Sequence, residues 1–187
     1  VNRRAYWNFK RGPRSGLTFA EAETKLVKLL GESVKMRLMS EVPLGVFLSG
    51  GLDSSAITAV MSQVSGQKVK TFSVGYERED AASELPFARK VANLFNTEHH
   101  EFILKPYDFL DAVPEMVKMA EEPLVEIPAI ALYQIAKAGK PHATVLLSGE
   151  GSDEVFGGYG LYQRMLQMEK WYPVLRLLKW FPHSLTP

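Results

Sequence analysis

Leu44-Gly-Val-Phe-Leu-Ser-Gly-Gly-Leu-Asp-Ser-Ser55 is the stretch that decides the fold of this chain. It joins a short apolar run, Leu44 to Leu48, to a polar, Gly-rich turn, and the turn leads into a helical pattern over residues 53–64. A continuous apolar run without alternation is a strand covered on both faces, as in parallel sheets. In doubly wound sheets ligands bind beyond the carboxyl ends of such strands. Gly50 and Gly51 permit positive φ and close backbone approach. The N–H groups and dipole of the following helix attract anions, and Ser49, Ser54 and Ser55 add hydroxyl donors. Asp53 would repel a phosphate, a conflict that Mg²⁺ bridging carboxylate and phosphate resolves. The local chemistry fits a simpler reading equally well: a capped turn in which Asp53 and the serines satisfy helix N–H groups. The ordinary phosphate loop with its lysine is absent, so kinase or GTPase chemistry loses ground.

Outward from this stretch, strands and helices alternate. Thr18 and Glu21 form a capping-box pattern. Leu26, Leu29, Leu30 and Val34 follow at helical spacing, giving an amphipathic helix over 19–39, and Pro43 bars its continuation. Val69 to Val74 reads as a second strand. Residues 84–95 read as a helix with Phe87, Val91, Leu94 and Phe95 on one side. Glu98 to Leu104 alternates as a third strand. Helices near 107–120 and 128–138 precede Ala143 to Leu147, which reads as another strand buried on both faces, and a last helix falls near 159–171. The expectation is an α/β fold, a doubly wound parallel sheet with helices on both faces.

Composition narrows the function. The 187 residues suit one domain, and 46% hydrophobic with 23% charged residues is an ordinary globular balance. A net charge of +1 gives no field toward nucleic acid or membrane. Cysteine is absent, which removes disulfides, thiolate metal sites and a Cys nucleophile. No apolar run approaches the roughly 20 residues of a membrane span. A cytoplasmic location fits these features.

A second loop, Ser148-Gly-Glu-Gly-Ser-Asp-Glu-Val-Phe-Gly-Gly-Tyr159, also follows an apolar strand. If the two strands are neighbours, its acidic residues face the same sheet edge as Asp53. Two carboxylates from separate loops can then hold Mg²⁺ between them and a polyphosphate. Glu150 is left for positioning or proton transfer. The plain alternative is a solvated acidic surface loop.

Ser49-Gly-Gly-Leu-Asp-Ser54 resembles the pyrophosphate-binding PP-loop, Ser-Gly-Gly-x-Asp-Ser, of a superfamily that cleaves ATP between its α- and β-phosphates. The second loop is more specific and resembles the second signature of asparagine synthetases and the related β-lactam synthetases. The resemblance runs from about Tyr6 to Tyr162. It implies ATP-dependent amide formation through an acyl-adenylate, aspartate to asparagine with ammonia from glutamine. It implies Asp53 and Asp153 as ligands of Mg²⁺ and pyrophosphate, and Ser49, Gly50, Gly51, Ser54 and Ser55 as the phosphate cradle. Leu48, Val74 and Gly75 would line the adenine and ribose site, largely through backbone, and Ser148 and Gly149 would complete the pocket. Glu150 would assist adenylate formation and the attack of ammonia, and Tyr159 would border the substrate. ATP, aspartate and ammonia are the expected small molecules; nucleic acid and membrane are not expected, and a homodimer is allowed.

The family's glutaminase domain, with its terminal Cys, is not in this chain. Residues 1–17, with Tyr6, Trp7 and Phe9, resemble the segment just after that domain and are expected to be a linker with an aromatic anchor. Residues 18–187 are expected to be the N-terminal part of a synthetase domain that continues further, with an Arg-Val-Pro-Phe segment and a Lys not found here. Glu121-Glu122-Pro123 resembles an acidic stretch before the family's Pro128-Ala-Ile segment; a place in the substrate pocket and a solvated helix end are equally open. His99 and His100 point to opposite faces of a strand and cannot be a metal pair. Trp171, Tyr172, Trp180 and Phe181 are expected in core or interface. A tRNA-modifying PP-loop enzyme and a non-catalytic nucleotide-binding module are the alternatives; missing cysteines and balanced charge speak against the first, two intact acidic loops against the second.

Overall fold

In the computed structural model, which describes residues 3–8, 16–77, 83–121 and 127–178, Thr18 caps helix α1 (Phe19–Arg37). The Thr18 N–H donates to Glu21 Oε2 at 2.7 Å and the Glu21 N–H to Thr18 Oγ1 at 3.4 Å, the reciprocal pair expected of a capping box. Strand β1 (Leu44–Phe47) follows, then α2 (Leu52–Val64), β2 (Lys70–Tyr76), α3 (Leu85–Leu94) and β3 (Glu98–Leu104). Helices α4 (Pro106–Ala120) and α5 (Ile127–Gly139) lead to β4 (Val145–Leu147), a short α6 (Ser152–Phe156) and α7 (Gly160–Leu178). The strands form one parallel sheet in the order β3-β2-β1-β4.

Register sorts the two faces. Val46 pairs with Thr71, and Thr71 with His99, so these share a face. On that face Val46 packs with Val34 of α1 and Met61 of α2, and Leu48 packs with Ala88 and Ala92 of α3. On the other face Phe72 meets Ile135 of α5, Phe47, Phe102 and Leu146. Helix α4 lies behind α5 through Ala112, Met116 and Ile130. Both faces therefore carry helices, as the alternation of elements implies. Val46, Leu48 and Phe72 are 0–1% exposed, so the core sits on β1 and β2.

Several expectations change. On α3 the buried side is Leu85, Ala88 and Ala92, while Phe87 and Leu94 are exposed at 58% and 75%. The helix approaches the turn after β1 so closely that only small side chains fit between them. On α1, Leu30 and Val34 face the core, whereas Leu26 and Leu29 are exposed. β4 is not buried on both faces: Val145 is exposed and Leu146 and Leu147 are half-buried, because β4 is the outer strand of the described sheet. Tyr6 is fully exposed, and Trp171 and Tyr172 are exposed rather than core. Phe9, Glu122, Pro123, Trp180 and Phe181 lie outside the described residues. Among the described residues no helix is long and apolar enough to cross a membrane.

His99 and His100 do occupy opposite faces. His99 Nδ1 meets Thr71 Oγ1 at 2.8 Å. Its Nε2 stands 3.2 Å from Glu101 Oε1, close enough for an ion pair but out of line for a hydrogen bond. Burial holds its pKa below the ordinary 6.5, against the pull of Glu101. Glu101 itself is held below 4.5, first by the Arg89 fork, whose Nε and Nη2 donate at 2.8 and 2.7 Å. The unfolded chain thus protonates His99 at a higher pH than the folded one. The stability linked to His99 is whole above 6.5 and drains as pH falls through the lower folded value. Melting temperatures should therefore begin to fall below pH 6.5, with a further fall below 4.5 from Glu101. His99→Gln should remove the first fall and leave the second. An unchanged profile in that variant would remove His99 from this account.

Candidate active site

From β1 the chain winds outward through β2 to β3, then returns to place β4 on the other side of β1. The loops leaving β1 and β4 diverge from neighbouring strands, which is the switch point of an open α/β sheet and its usual ligand crevice. A cleft of about 730 Å³ lies there.

The first loop is stitched to itself. The Ser49 N–H donates to Ser54 Oγ at 3.2 Å, and the two serine hydroxyls meet at 2.9 Å. The Gly51 N–H donates to Ser49 Oγ at 3.2 Å, and Ser54 Oγ donates to the Gly51 carbonyl at 3.3 Å. Gly51 is the N-cap of α2 and no side chain caps that end. The serines therefore shape the loop rather than cap the helix, and the amides of the first turn of α2 stay open toward an anion. Asp53 sits in that first turn.

The glycines divide the labour. Gly50 has φ +86°, and a Cβ there would stand 2.5 Å from the Ala88 nitrogen on α3. Gly51, expected to share the positive φ, has φ −67° instead and is ordinary extended backbone. Gly50 thus turns the chain under α3 and does not border the cleft, while Gly51 does.

The second loop closes on the first. A Cβ on Gly149 would lie 3.1 Å from both Asp53 Cβ and the Ser54 nitrogen, so the loops are in contact there. Gly151 has φ +88° and turns the chain into α6, which carries Asp153 and Glu154. Tyr159 Oη donates to Glu154 Oε1 at 2.7 Å. That bond pushes the phenol pKa up to about 12, so Tyr159 stays a protonated donor.

Leu48, Ser49, Gly51, Asp53, Ser54, Val74, Ser148, Gly149, Glu150, Asp153 and Tyr159 all border the cleft; Gly50, Ser55 and Gly75 do not. Ser55 Oγ is buried with no partner among the described residues. Gly75 is packed beneath Leu85, which a Cβ would meet at 2.3 Å. At Leu48 the N–H donates to the Phe72 carbonyl at 2.8 Å, and the carbonyl accepts from the Ser73 hydroxyl. The sequence reading missed Ser73, Glu84, Leu132, Ile135 and Glu154 on the wall. Helical spacing from Pro128 points to Leu132 and Ile135; nothing in the sequence marks Glu84. Pro128 borders the cleft, whereas Glu121 is an exposed helix end at φ 57°.

A sequence model of the asparagine synthase family matches residues 25–185. The chain is 40% identical over 151 residues to asparagine synthetase [glutamine-hydrolyzing] 1 of Bacillus subtilis, covering 79% of this chain and 24% of that protein. It is 40% identical over 133 residues to putative asparagine synthetase [glutamine-hydrolyzing] 2 of Methanocaldococcus jannaschii, covering 71% and 25%. The chain therefore spans about a quarter of the length of these relatives. Among solved structures, the NH3-dependent NAD synthetase of Campylobacter jejuni shares the fold with a TM-score of 0.50 and 15% identity, over 73% of this chain and 60% of that one. By the sequence match over residues 25–185, this chain belongs to the asparagine synthase family.

Proposed function

We propose that this chain is the nucleotide-binding part of a ligase that forms an amide through an acyl-adenylate, with aspartate as the carboxylate and ammonia as the acceptor. One observation carries the reading. The loops after β1 and β4 converge on one cleft and bring Asp53, Glu150 and Asp153 to its wall beside the side-chain-free end of α2. Two carboxylates with phosphate oxygens and water are the hard oxygen donors that Mg²⁺ takes, so the residues fit that ion. Bound there, Mg²⁺ would neutralise charge on the departing pyrophosphate.

The chain's own part is positioning and charge placement. The first-turn amides of α2 receive phosphate oxygens. Asp53 and Asp153 would hold Mg²⁺, and the serine-stitched loop keeps these carboxylates and the α2 amides in place without reorganisation. The carboxylate of aspartate attacks the α-phosphorus, the α–β bridge breaks, and pyrophosphate leaves with the electron pair. Ammonia then attacks the acyl carbon, loses a proton, and AMP departs. Glu150, on the cleft wall, is placed to accept that proton or steer the amine. A glutaminase domain in the same polypeptide is the proposed ammonia source, with residues 1–17 as the connecting segment.

Calorimetric titration with ATP, with and without Mg²⁺, tests the nucleotide reading. Mg²⁺-dependent binding is expected, and a folded chain that ignores ATP under both conditions would refute it. In the intact enzyme, Glu150→Gln should leave Mg²⁺-ATP binding unchanged and lower amide formation by about a hundredfold or more. Wild-type amide formation in that variant would take Glu150 out of the chemistry.

A further inference from the structure

Away from the cleft, three ligating side chains converge. Glu98 opens β3, and His100 lies two residues on, on the same face of the strand. His142 belongs to the connection between α5 and β4. One ligand atom from each of Glu98, His100 and His142 lies within 4.8 Å of the other two. His100 Nε2 and Glu98 Oε1 stand 2.9 Å apart. The two imidazole rings have centroids 4.1 Å apart and are tilted by 35°. None of the three borders the nucleotide cleft.

We propose that Glu98, His100 and His142 form a binding site for Zn²⁺ at the amino-terminal edge of the sheet. The donor set is two imidazole nitrogens and one carboxylate oxygen, which suits Zn²⁺ with water as the fourth ligand. Ligands of a tetrahedral zinc stand about 3.3 Å apart, given metal–ligand distances near 2 Å. The Glu98–His100 pair is already near that spacing, and rotation of the His142 ring closes the third side.

The surroundings hold these ligands in place. His100 stacks on Phe72, with centroids 5.2 Å apart and planes 13° from parallel, so its ring is oriented by the core. Lys70 Nζ donates to the His142 carbonyl at 2.9 Å and pins the loop that carries the second imidazole. The Lys70 charge opposes a second cation and weakens the site. Without an ion the same groups form a Glu98–His100 hydrogen bond against the His142 ring. With one, β3 is clamped to the connection that feeds β4, at the opposite edge of the sheet.

Thermal melts with added Zn²⁺ and visible absorption with added Co²⁺ test the site. Zn²⁺ should raise the melting temperature of the chain, as any ligand of the folded state does. Co²⁺ should give d–d bands of nitrogen and oxygen ligation. His142→Ala and His142→Gln should weaken both responses at least about tenfold, the minimum cost of disturbing a metal site. His142 is half-buried and its loop is anchored by backbone, so the metal-free melts of the variants should stay near wild type. Asp53→Ala should keep the full response. The proposal is overturned by no response in the wild-type chain, by a response that survives both His142 variants, or by one lost in Asp53→Ala.

Discussion

Asp53→Ala is expected to abolish Mg²⁺-dependent ATP binding while leaving the chain folded. The Asp53 carboxylate makes no hydrogen bond or ion pair with other described residues, although it sits where two loops touch. Its removal therefore breaks no hydrogen bond or ion pair among the described residues, and its favourable interaction with the α2 dipole is worth about 0.3–1 kcal/mol. If Asp53 is a Mg²⁺ ligand, affinity for Mg²⁺-ATP should fall at least about a hundredfold, the upper end of what even an outer-shell partner costs. Pyrophosphate release by the intact enzyme should vanish with it, and Asp153→Ala should do the same. A residue that merely favours a helix end would behave in the opposite way, with a lower melting temperature and unchanged Mg²⁺ dependence. Full turnover in either variant would sink the assignment.

Gly50→Ala is expected to cost more stability than any other single change in the loop. An L-residue at φ +86° costs about 1–2 kcal/mol. The added Cβ would also meet backbone, the Ala88 nitrogen at 2.5 Å and the Phe87 carbonyl carbon at 2.7 Å. Such a clash cannot be relieved by a rotamer change, and overpacking adds about 1–3 kcal/mol. The sum of about 2–5 kcal/mol is a large share of a domain's stability, measurable by denaturant titration. Gly51→Ala provides the contrast. Its φ is −67° and its Cβ would meet only Ser49 Oγ at 3.3 Å, so the fold should survive. The new methyl stands at the cleft wall, and reduced nucleotide affinity is the effect to look for. Equal stability of the two variants would mean that the turn under α3 relaxes freely.

These two glycines also show how far the sequence could be read. Adjacent in the motif, they were indistinguishable by pattern, because what separates them is the approach of α3 from a distant part of the chain. The same approach changed the reading of α3 in part: periodicity selected Phe87, Val91, Leu94 and Phe95, yet Phe87 and Leu94 are exposed while Ala88 and Ala92, with Val91, pack on Leu48. Hydrophobic size predicts a buried face only where there is room for it. β4 shows a related limit, since an apolar run does not reveal whether its strand is central or outermost. The two loops were legible because their chemistry is local: glycines, serines and carboxylates directly after apolar runs. The adjacency of β1 and β4, which makes one cleft of them, is a property of topology. Likewise the alternation of β3 correctly separated His99 from His100 but could not bring His142 to Glu98, which required the crossover through α5.

The position of β4 has a consequence for biosynthesis. β1, β2 and β3 are neighbours both in chain order and in the sheet, so they can assemble as soon as they emerge from the ribosome. β4 then adds beside β1, the earliest strand of the described sheet. Until it does, the outer side of Leu44–Phe47 presents an unpaired apolar edge, a template for other chains. A nascent or clipped chain that stops before Val145 should therefore be a client for chaperones and prone to co-aggregate. One wall of the cleft, from Ser148 to Tyr159, is made after β1, β2 and β3, so the cleft closes only once β4 has joined them.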